Sequence, residues 1–158
     1  MEKKVKIGLV ILFVGIAVVG GWFILGNQLQ ISKERFGIYL LENDELVISD
    51  KDIIFYNKTS HEVKLTEEGV KKVKALRVPV SGRPFVIKLD GEEIYGGSFW
   101  ISFSSLAYSG IVIDTLMIEN NTIKIEKGYP SSEFFEGVDP RDNSEIFDYF
   151  EKVGKLTE

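Results

Sequence analysis

The longest apolar stretch of the chain lies at its start, directly after a basic flank of residues 1–6. Residues 7–26 carry no charged side chain, and these 20 residues at about 1.5 Å each span the roughly 30 Å hydrocarbon core of a bilayer. The stretch begins at Ile7, and Leu25 is its last large apolar residue. A flank with three lysines stays in the cytoplasm. The pattern therefore predicts a single-pass anchor over residues 7–26 with an N-in orientation, so that the remainder lies outside the cytoplasm.

A cleaved secretory signal is the alternative interpretation of this stretch. Signal sequences have an apolar region of about 7–15 residues and end at a small-x-small site. This stretch is longer, and it ends in Gly21–Leu25 without such a site. Trp22 also lies where an aromatic side chain anchors a helix at the membrane interface. An uncleaved anchor is favoured.

The pattern after the anchor changes to short alternating segments, which are typical of half-buried strands. Residues 27–35 are polar and predict a linker, and residues 36–158 predict one extracytoplasmic domain. A capping-box spacing from Ser49 to Asp52 predicts a short helical turn over residues 50–56. The predicted strands are 36–41, 45–48, 61–65, 85–89, 92–95, 111–118 and 122–127.

Two segments have the three- and four-residue spacing of an amphipathic helix. The first begins at an N-cap, Thr66, and buries Val70, Val73 and Leu76. The second is predicted to begin at an N-cap, Asp139, followed by Pro140 at the first turn. Its apolar stripe is Ile146, Phe147, Phe150 and Val153, and Gly154 ends it. The predicted fold class is α+β, with one N-terminal transmembrane helix followed by a mainly antiparallel sheet and two principal helices.

Two dipeptides predict the tightest turns of the sheet. Asp90-Gly91 is a strong hairpin signal, because both central residues of a type I′ turn need a positive φ. Asn120-Asn121 is predicted to join strands 111–118 and 122–127 in a second hairpin.

Charge and composition narrow the function classes. After residue 26 the chain has 16 Lys and Arg against 23 Asp and Glu, a net charge of about −7. An acidic domain argues against nucleic acid as a partner. The chain has no cysteine, which excludes thiol catalysis, thiolate metal sites and disulfides together.

One block of the domain resembles a known family. The block comprises residues 65–73, LTEEGVKKV, and residues 82–95, GRPFVIKLDGEEIY. It resembles the extracytoplasmic domain of SecD, a subunit of the Sec translocase, over about 35–50 residues. SecD has six spans where this chain has one predicted span, so no functional residue is carried over. The resemblance implies the local strand–helix–strand–hairpin fold and a role linked to protein export.

Catalytic motifs are weak in this sequence. His61 is the single histidine, and it lacks the second histidine of a zincin helix. No serine lies in Gly-x-Ser-x-Gly or in Ser-x-x-Lys. A hydrolase that uses His61 with a serine or acidic partner remains the alternative function. The acidic residues 133–145 lack the alternating register of a calcium loop. No metal and no cofactor is predicted.

Aromatic residues supply the candidate binding site. Strand alternation places Phe99, Ile101 and Phe103 on one face and Trp100 on the other. If the first face is the core, Trp100 is exposed and available to a partner, and the other interpretation covers it with the last helix or with loop 128–137. The predicted partner-binding residues are Trp100, Tyr95 and Tyr108.

Two Asn-x-Thr sequons, at Asn57 and Asn120, lie in predicted turns on the exported side and are candidate glycosylation sites.

The sequence as a whole predicts a non-catalytic binding or accessory domain at the cell membrane. Its predicted partners are the membrane, through the N-terminal helix, and another envelope or membrane protein.

Overall fold

Residues 34–158, the part of the chain that the computed structural model describes, contain two β-sheets and two α-helices. The α+β prediction, with a mainly antiparallel sheet and two helices, is confirmed. The predicted anchor, with Ile7, Trp22 and Leu25, lies outside the described residues. Within residues 34–158 no helix is both long and apolar enough to cross a membrane.

The first sheet has six strands, and one of its ends forms the candidate site described below. Its strands are β1 (Phe36–Leu40), β2 (Leu46–Ser49), β5 (Arg83–Leu89), β6 (Glu92–Trp100), β7 (Tyr108–Asp114) and β9 (Glu126–Tyr129). Their order is β2-β1-β5-β6-β7-β9, and every neighbouring pair is antiparallel except β6 and β7.

The second sheet has four strands, β3 (Ile53–Asn57), β4 (Glu62–Leu65), β8 (Thr122–Lys124) and β10 (Leu156–Thr157). Their order is β10-β3-β4-β8, and β10 runs parallel to β3. The helices are α1 (Glu67–Ala75) and α2 (Ser144–Lys152). Helix α2 packs between the two sheets, since Phe150 contacts the rings of Phe36 and Tyr56 at centroid distances of 4.9 and 5.4 Å.

Helix α1 begins where the sequence predicts. The Thr66 side chain accepts a hydrogen bond from the backbone N–H of Gly69 at 3.1 Å, which satisfies one of the free amides of the first turn. Val70 and Val73 are buried against the core. The prediction is confirmed because a cap and an amphipathic stripe are local properties of the sequence.

Helix α2 begins four residues later than predicted. Its N-cap is Asn143, whose side-chain oxygen accepts from the N–H of Ile146 at 3.1 Å. The Asp139 carboxylate accepts from the backbone N–H of Arg141 at 3.1 Å and from its Nε and Nη2 at 2.9 and 2.7 Å, and no helix begins at this residue. Val153 is the C-cap and is 41% exposed, so it does not belong to the buried stripe.

Two further predictions are confirmed only in part. The capping box of Ser49 and Asp52 is present, but the 3-10 turn comprises only Asp50–Asp52, and residues 53–57 continue as strand β3. Segments 111–118 and 122–127 pair antiparallel only at the base of the predicted hairpin, Ile111 with Lys127 and Val112 with Glu126, because residues 122–124 form β8 of the second sheet. Asn120 and Asn121 do form a tight turn with φ values of 48° and 57°.

The Asp90-Gly91 hairpin is confirmed. Its two central residues have φ values of 52° and 89°, as a type I′ turn requires. Leu89 pairs with Glu92 across the turn. The side chain of Arg35 donates two hydrogen bonds of 2.7 Å to Asp90, which places the beginning of the described chain at this end of the first sheet.

Candidate binding surface

Four strands of the first sheet terminate together at the end opposite to the Asp90-Gly91 turn. Leu40 at the end of β1 pairs with Phe85, and Arg83 at the start of β5 pairs with Phe99. Trp100 at the end of β6 pairs with Asp114 at the end of β7. The loops after β1, before β5, after β6 and after β7 therefore emerge on the same side.

These loops expose a group of large apolar side chains. Phe103 is 72% exposed and Met117 is 59% exposed. Six of the eleven exposed large apolar residues in the described chain belong to these loops, and such grouping marks interaction sites more often than scattered exposure does. We call this group the apolar end surface, and it comprises Leu41, Val80, Phe103, Leu106, Leu116 and Met117.

Hydrogen bonds tie two of these loops to each other. The Ser104 hydroxyl donates to the carbonyl of Val80 at 2.6 Å and accepts from the N–H of Leu106 at 3.2 Å. The Tyr129 hydroxyl donates to the carbonyl of Ser102 at 2.7 Å. Since the backbone is held at these points, the apolar side chains are presented from a connected framework.

Trp100 lies beneath this surface and not on it. Its side chain is 2% exposed, and it packs against the rings of Tyr108 and Tyr129 at centroid distances of 5.2 and 5.6 Å. Of the two interpretations of Trp100, the structure therefore agrees with the one that covers it, since Tyr129 belongs to the predicted loop 128–137. Phe103 is not in the core, because the strand ends at Trp100 and the alternation stops with it.

The other two predicted binding residues lie apart from this surface or at its base. Tyr108 is partly buried and stacks on Trp100. The hydroxyl of Tyr95 is buried without a hydrogen-bond partner, and burial raises the pKa of this phenol well above its ordinary value. Neither residue contributes to the large exposed side chains of the apolar end surface.

A groove opens beside the apolar end surface, between strand β2 and helix α1. Its volume is about 650 Å³, within the range of ligand-binding clefts. Residues of β2 form one wall, and the C-terminal turn of α1 forms the other. We call it the β2–α1 groove, and its lining comprises Glu45, Leu46, Val47, Lys72, Ala75, Leu76, Arg77 and Arg83.

Three cations line this groove, and they differ in their partners. Lys72 donates to both carboxylate oxygens of Asp52, at 2.8 and 2.9 Å. Arg83 donates from Nε and Nη2 to Glu42, at 3.0 and 2.5 Å. Arg77 is exposed and has no ion pair with any described residue. The guanidinium of Arg77 is therefore available to a carboxylate from outside.

His61 lies in a separate polar cluster. Its ring is buried, its Nδ1 lies 3.0 Å from the Tyr56 hydroxyl, and its Nε2 lies 3.7 Å from a carboxylate oxygen of Asp142. Burial, together with the positive charge of Arg141, lowers the pKa of His61 below its ordinary value of 6.5. The hydroxyl beside His61 belongs to a tyrosine, and among residues 34–158 no serine hydroxyl hydrogen-bonds its ring.

Arg141 holds the neighbouring segment to the sheet. It donates from Nη1 to the carbonyl of Ile125 at 2.8 Å, in addition to its two bonds with Asp139. These bonds, with Lys127 at 3.3 Å, keep the pKa of Asp139 far below its usual range. This acidic residue is therefore a structural anchor, and the described residues contain no group of three or more carboxylates and imidazoles placed to hold a metal.

The asparagine side chains of the two sequons differ in their hydrogen bonds. The Asn57 amide donates to the backbone carbonyl of Glu158 at 2.7 Å and accepts from the N–H groups of Thr59 and Ser60. Asn120 is exposed in its turn. A glycan is therefore compatible with the local packing at Asn120 and would displace existing hydrogen bonds at Asn57.

Sequence reasoning missed the apolar end surface and the β2–α1 groove. Exposed Phe and Met look like core residues in a sequence, and only the strand ends distinguish them.

Comparison of the chain with protein-family models, with curated proteins and with solved structures finds no match.

Proposed function

We propose that this protein is a membrane-tethered, non-catalytic binding domain that acts outside the cytoplasm. The apolar end surface is its binding site for another envelope or membrane protein. The observation that carries the proposal is the grouping of six exposed apolar side chains on loops that leave one end of a sheet. Such a group is costly in water unless a partner covers it.

The resemblance to SecD suggests the sharper version, an accessory role in protein export. Its support is the block of residues 65–95, in which a capped helix and an Asp-Gly hairpin follow one another. The hydrolase alternative has an acidic group near His61, namely Asp142 at 3.7 Å. Replacing His61 by Asn and measuring hydrolysis of ester and peptide substrates separates this alternative from a binding domain.

Two measurements test the proposal. The first is protease digestion of right-side-out vesicles, which should remove the domain and leave a small N-terminal fragment; protection of the whole chain would contradict the orientation. The second is reversible cross-linking in native membranes, followed by identification of the partner. Phe103→Ser with Leu116→Ser should abolish capture of that partner while the melting temperature is retained.

The matched control is Val138→Ser. Val138 is 91% exposed and lies outside the apolar end surface, so its replacement removes exposed apolar area from another part of the domain. Capture that survives the double replacement at Phe103 and Leu116, or that is lost equally with Val138→Ser, would contradict the proposed binding site.

A further inference from the structure

Strand β2 is an edge strand with a helix beside its open side. Within residues 34–158 it pairs with β1 alone, and α1 packs next to it. The two elements run in opposite directions. The start of α1 lies near the end of β2, since the N–H of Thr66 donates to the carbonyl of Asp52 at 2.8 Å. The end of α1 lies near the start of β2, since Leu76 and Leu46 both line the groove. The groove therefore follows the strand lengthwise.

An edge strand presents alternate N–H and C=O groups that have no partner in their own sheet. An extended peptide can take up these groups as a further strand, and its alternate side chains then point toward the helix or away from it. The β2–α1 groove supplies an apolar wall for such side chains in Leu46, Ala75 and Leu76. Its shape and its open edge fit an extended segment of another protein.

The charged residues that line the groove indicate which charge a bound peptide segment should carry. The described domain is acidic, yet the groove collects Lys72, Arg77 and Arg83 against Glu45. Lys72 and Arg83 are already bound to Asp52 and Glu42, whereas Arg77 has no ion pair with any described residue. A guanidinium prefers a carboxylate, which it binds through two parallel hydrogen bonds.

We propose that the β2–α1 groove binds an extended acidic segment of a partner protein by strand addition to β2, with a carboxylate of that segment on Arg77. This inference rests on the proposed binding function and names the chemistry of its partner. The N-terminal flank of this chain is basic, with Lys3, Lys4 and Lys6, so its charge does not match Arg77.

The test uses the full chain in phosphatidylcholine nanodiscs and an array of ten-residue peptides in which Val alternates with Glu, Gln or Lys. Binding should be strongest for the Glu series, by about tenfold over the Lys series, the factor of one charge-assisted hydrogen bond. Arg77→Glu should reverse this order. Lys152→Glu, which makes the same charge change at an exposed position of α2 outside the groove, should leave the order unchanged.

Strand addition is tested separately with N-methylated peptides of the Glu series. Methylation of alternate amides should abolish binding in one register and spare it in the other, because only one row of amides faces β2. Equal binding in both registers, no preference for the Glu series, or an unchanged order in Arg77→Glu would each overturn the proposal. The absence of any peptide binding would overturn it as well.

The replacement of Phe103 and Leu116 by Ser distinguishes this proposal from the function on which it rests. If only the groove proposal fails, these replacements still abolish partner capture while the peptides of the Glu series do not bind. If only the apolar end surface fails, the peptides bind and partner capture survives the replacements.

Discussion

Lys72 of helix α1 donates hydrogen bonds to both carboxylate oxygens of Asp52, at 2.8 and 2.9 Å. Asp52 is 5% exposed and ends the turn that follows β2. The same carboxylate accepts from the N–H and the hydroxyl of Ser49, at 2.8 and 2.9 Å. This pair links helix α1 to the turn that follows β2, and Lys72 also lines the β2–α1 groove.

Asp52→Asn should destabilise the domain by about 1.5–3 kcal/mol, because hydrogen bonds to a charged group are lost. Urea unfolding at pH 7 measures this change. The control is Lys71→Gln, which removes the exposed ion pair with Glu68 at 3.6 Å and should change stability by less than about 0.5 kcal/mol. Similar effects of the two variants would contradict a structural role for Asp52.

The lowered pKa of Asp52 predicts part of the loss of domain stability in acid. Burial alone would raise the pKa of Asp52, but the bonds from Lys72 and Ser49 outweigh it and leave the pKa below its ordinary value of 3.8. The unfolded chain therefore binds the proton first as the pH falls. The contribution of Asp52 is present above about pH 4 and is lost below it, so the stability difference between wild type and Asp52→Asn should shrink in that range.

His61 should make the domain less stable in mild acid. Because its folded pKa lies below 6.5, the unfolded chain is protonated first, and stability rises with pH through the window below 6.5 and is complete above it. His61 has a φ of 54°, which Asn tolerates. His61→Asn should therefore fold and remove this slope. Unfolding in urea at pH 5 and pH 7.5 measures it, and an unchanged slope in the variant would contradict the assignment.

Gly82 should not tolerate a side chain. Its φ is 79°, and a Cβ at this position would overlap the buried ring of Trp100. Gly82→Ala combines backbone strain with overpacking and should cost about 2–5 kcal/mol. Gly137→Ala is the matched control, since Gly137 also has a positive φ, 103°, but no atom within 4 Å of the added Cβ. Equal melting temperatures of the two variants would show that the Trp100 packing is not as described.

Gly91→Val should destabilise the hairpin between β5 and β6. A β-branched residue resists the φ of 89° found at Gly91, and the strain amounts to about 1–2 kcal/mol. Gly91→Asn is the control, because Asn adopts this region more readily. A melting temperature that is the same for Val, Asn and Gly would mean that this turn does not constrain the domain.

The sequence by itself determined the features that depend on neighbouring residues. The cap at Thr66, the stripe of Val70 and Val73 and the positive φ of Asp90 and Gly91 each have a cause within a few positions, so they could be predicted without knowing the fold. The α+β class followed from the alternation of such segments.

The tertiary structure alone decided how these pieces meet. The partner of a strand is chosen over long sequence separations, so β7 joins β6 in parallel and β8 joins the second sheet. Of the hairpin that the turn at Asn120-Asn121 suggested, only the base pairs, through Ile111 with Lys127 and Val112 with Glu126. Helix α2 likewise begins at Asn143 and not at the predicted Asp139, whose segment is held by Arg141 to the carbonyl of Ile125, 16 residues earlier than Arg141.

The candidate binding surface belongs to the same category. Phe103 and Met117 have the composition of core residues, and they are exposed because they follow the last residues of two strands that end side by side. Strand alternation left open whether Trp100 is exposed or covered, and it is buried because Tyr108 of β7 and Tyr129 of β9 pack against its ring. Exposure depends on what packs above a residue, and that is settled only when the whole chain is folded.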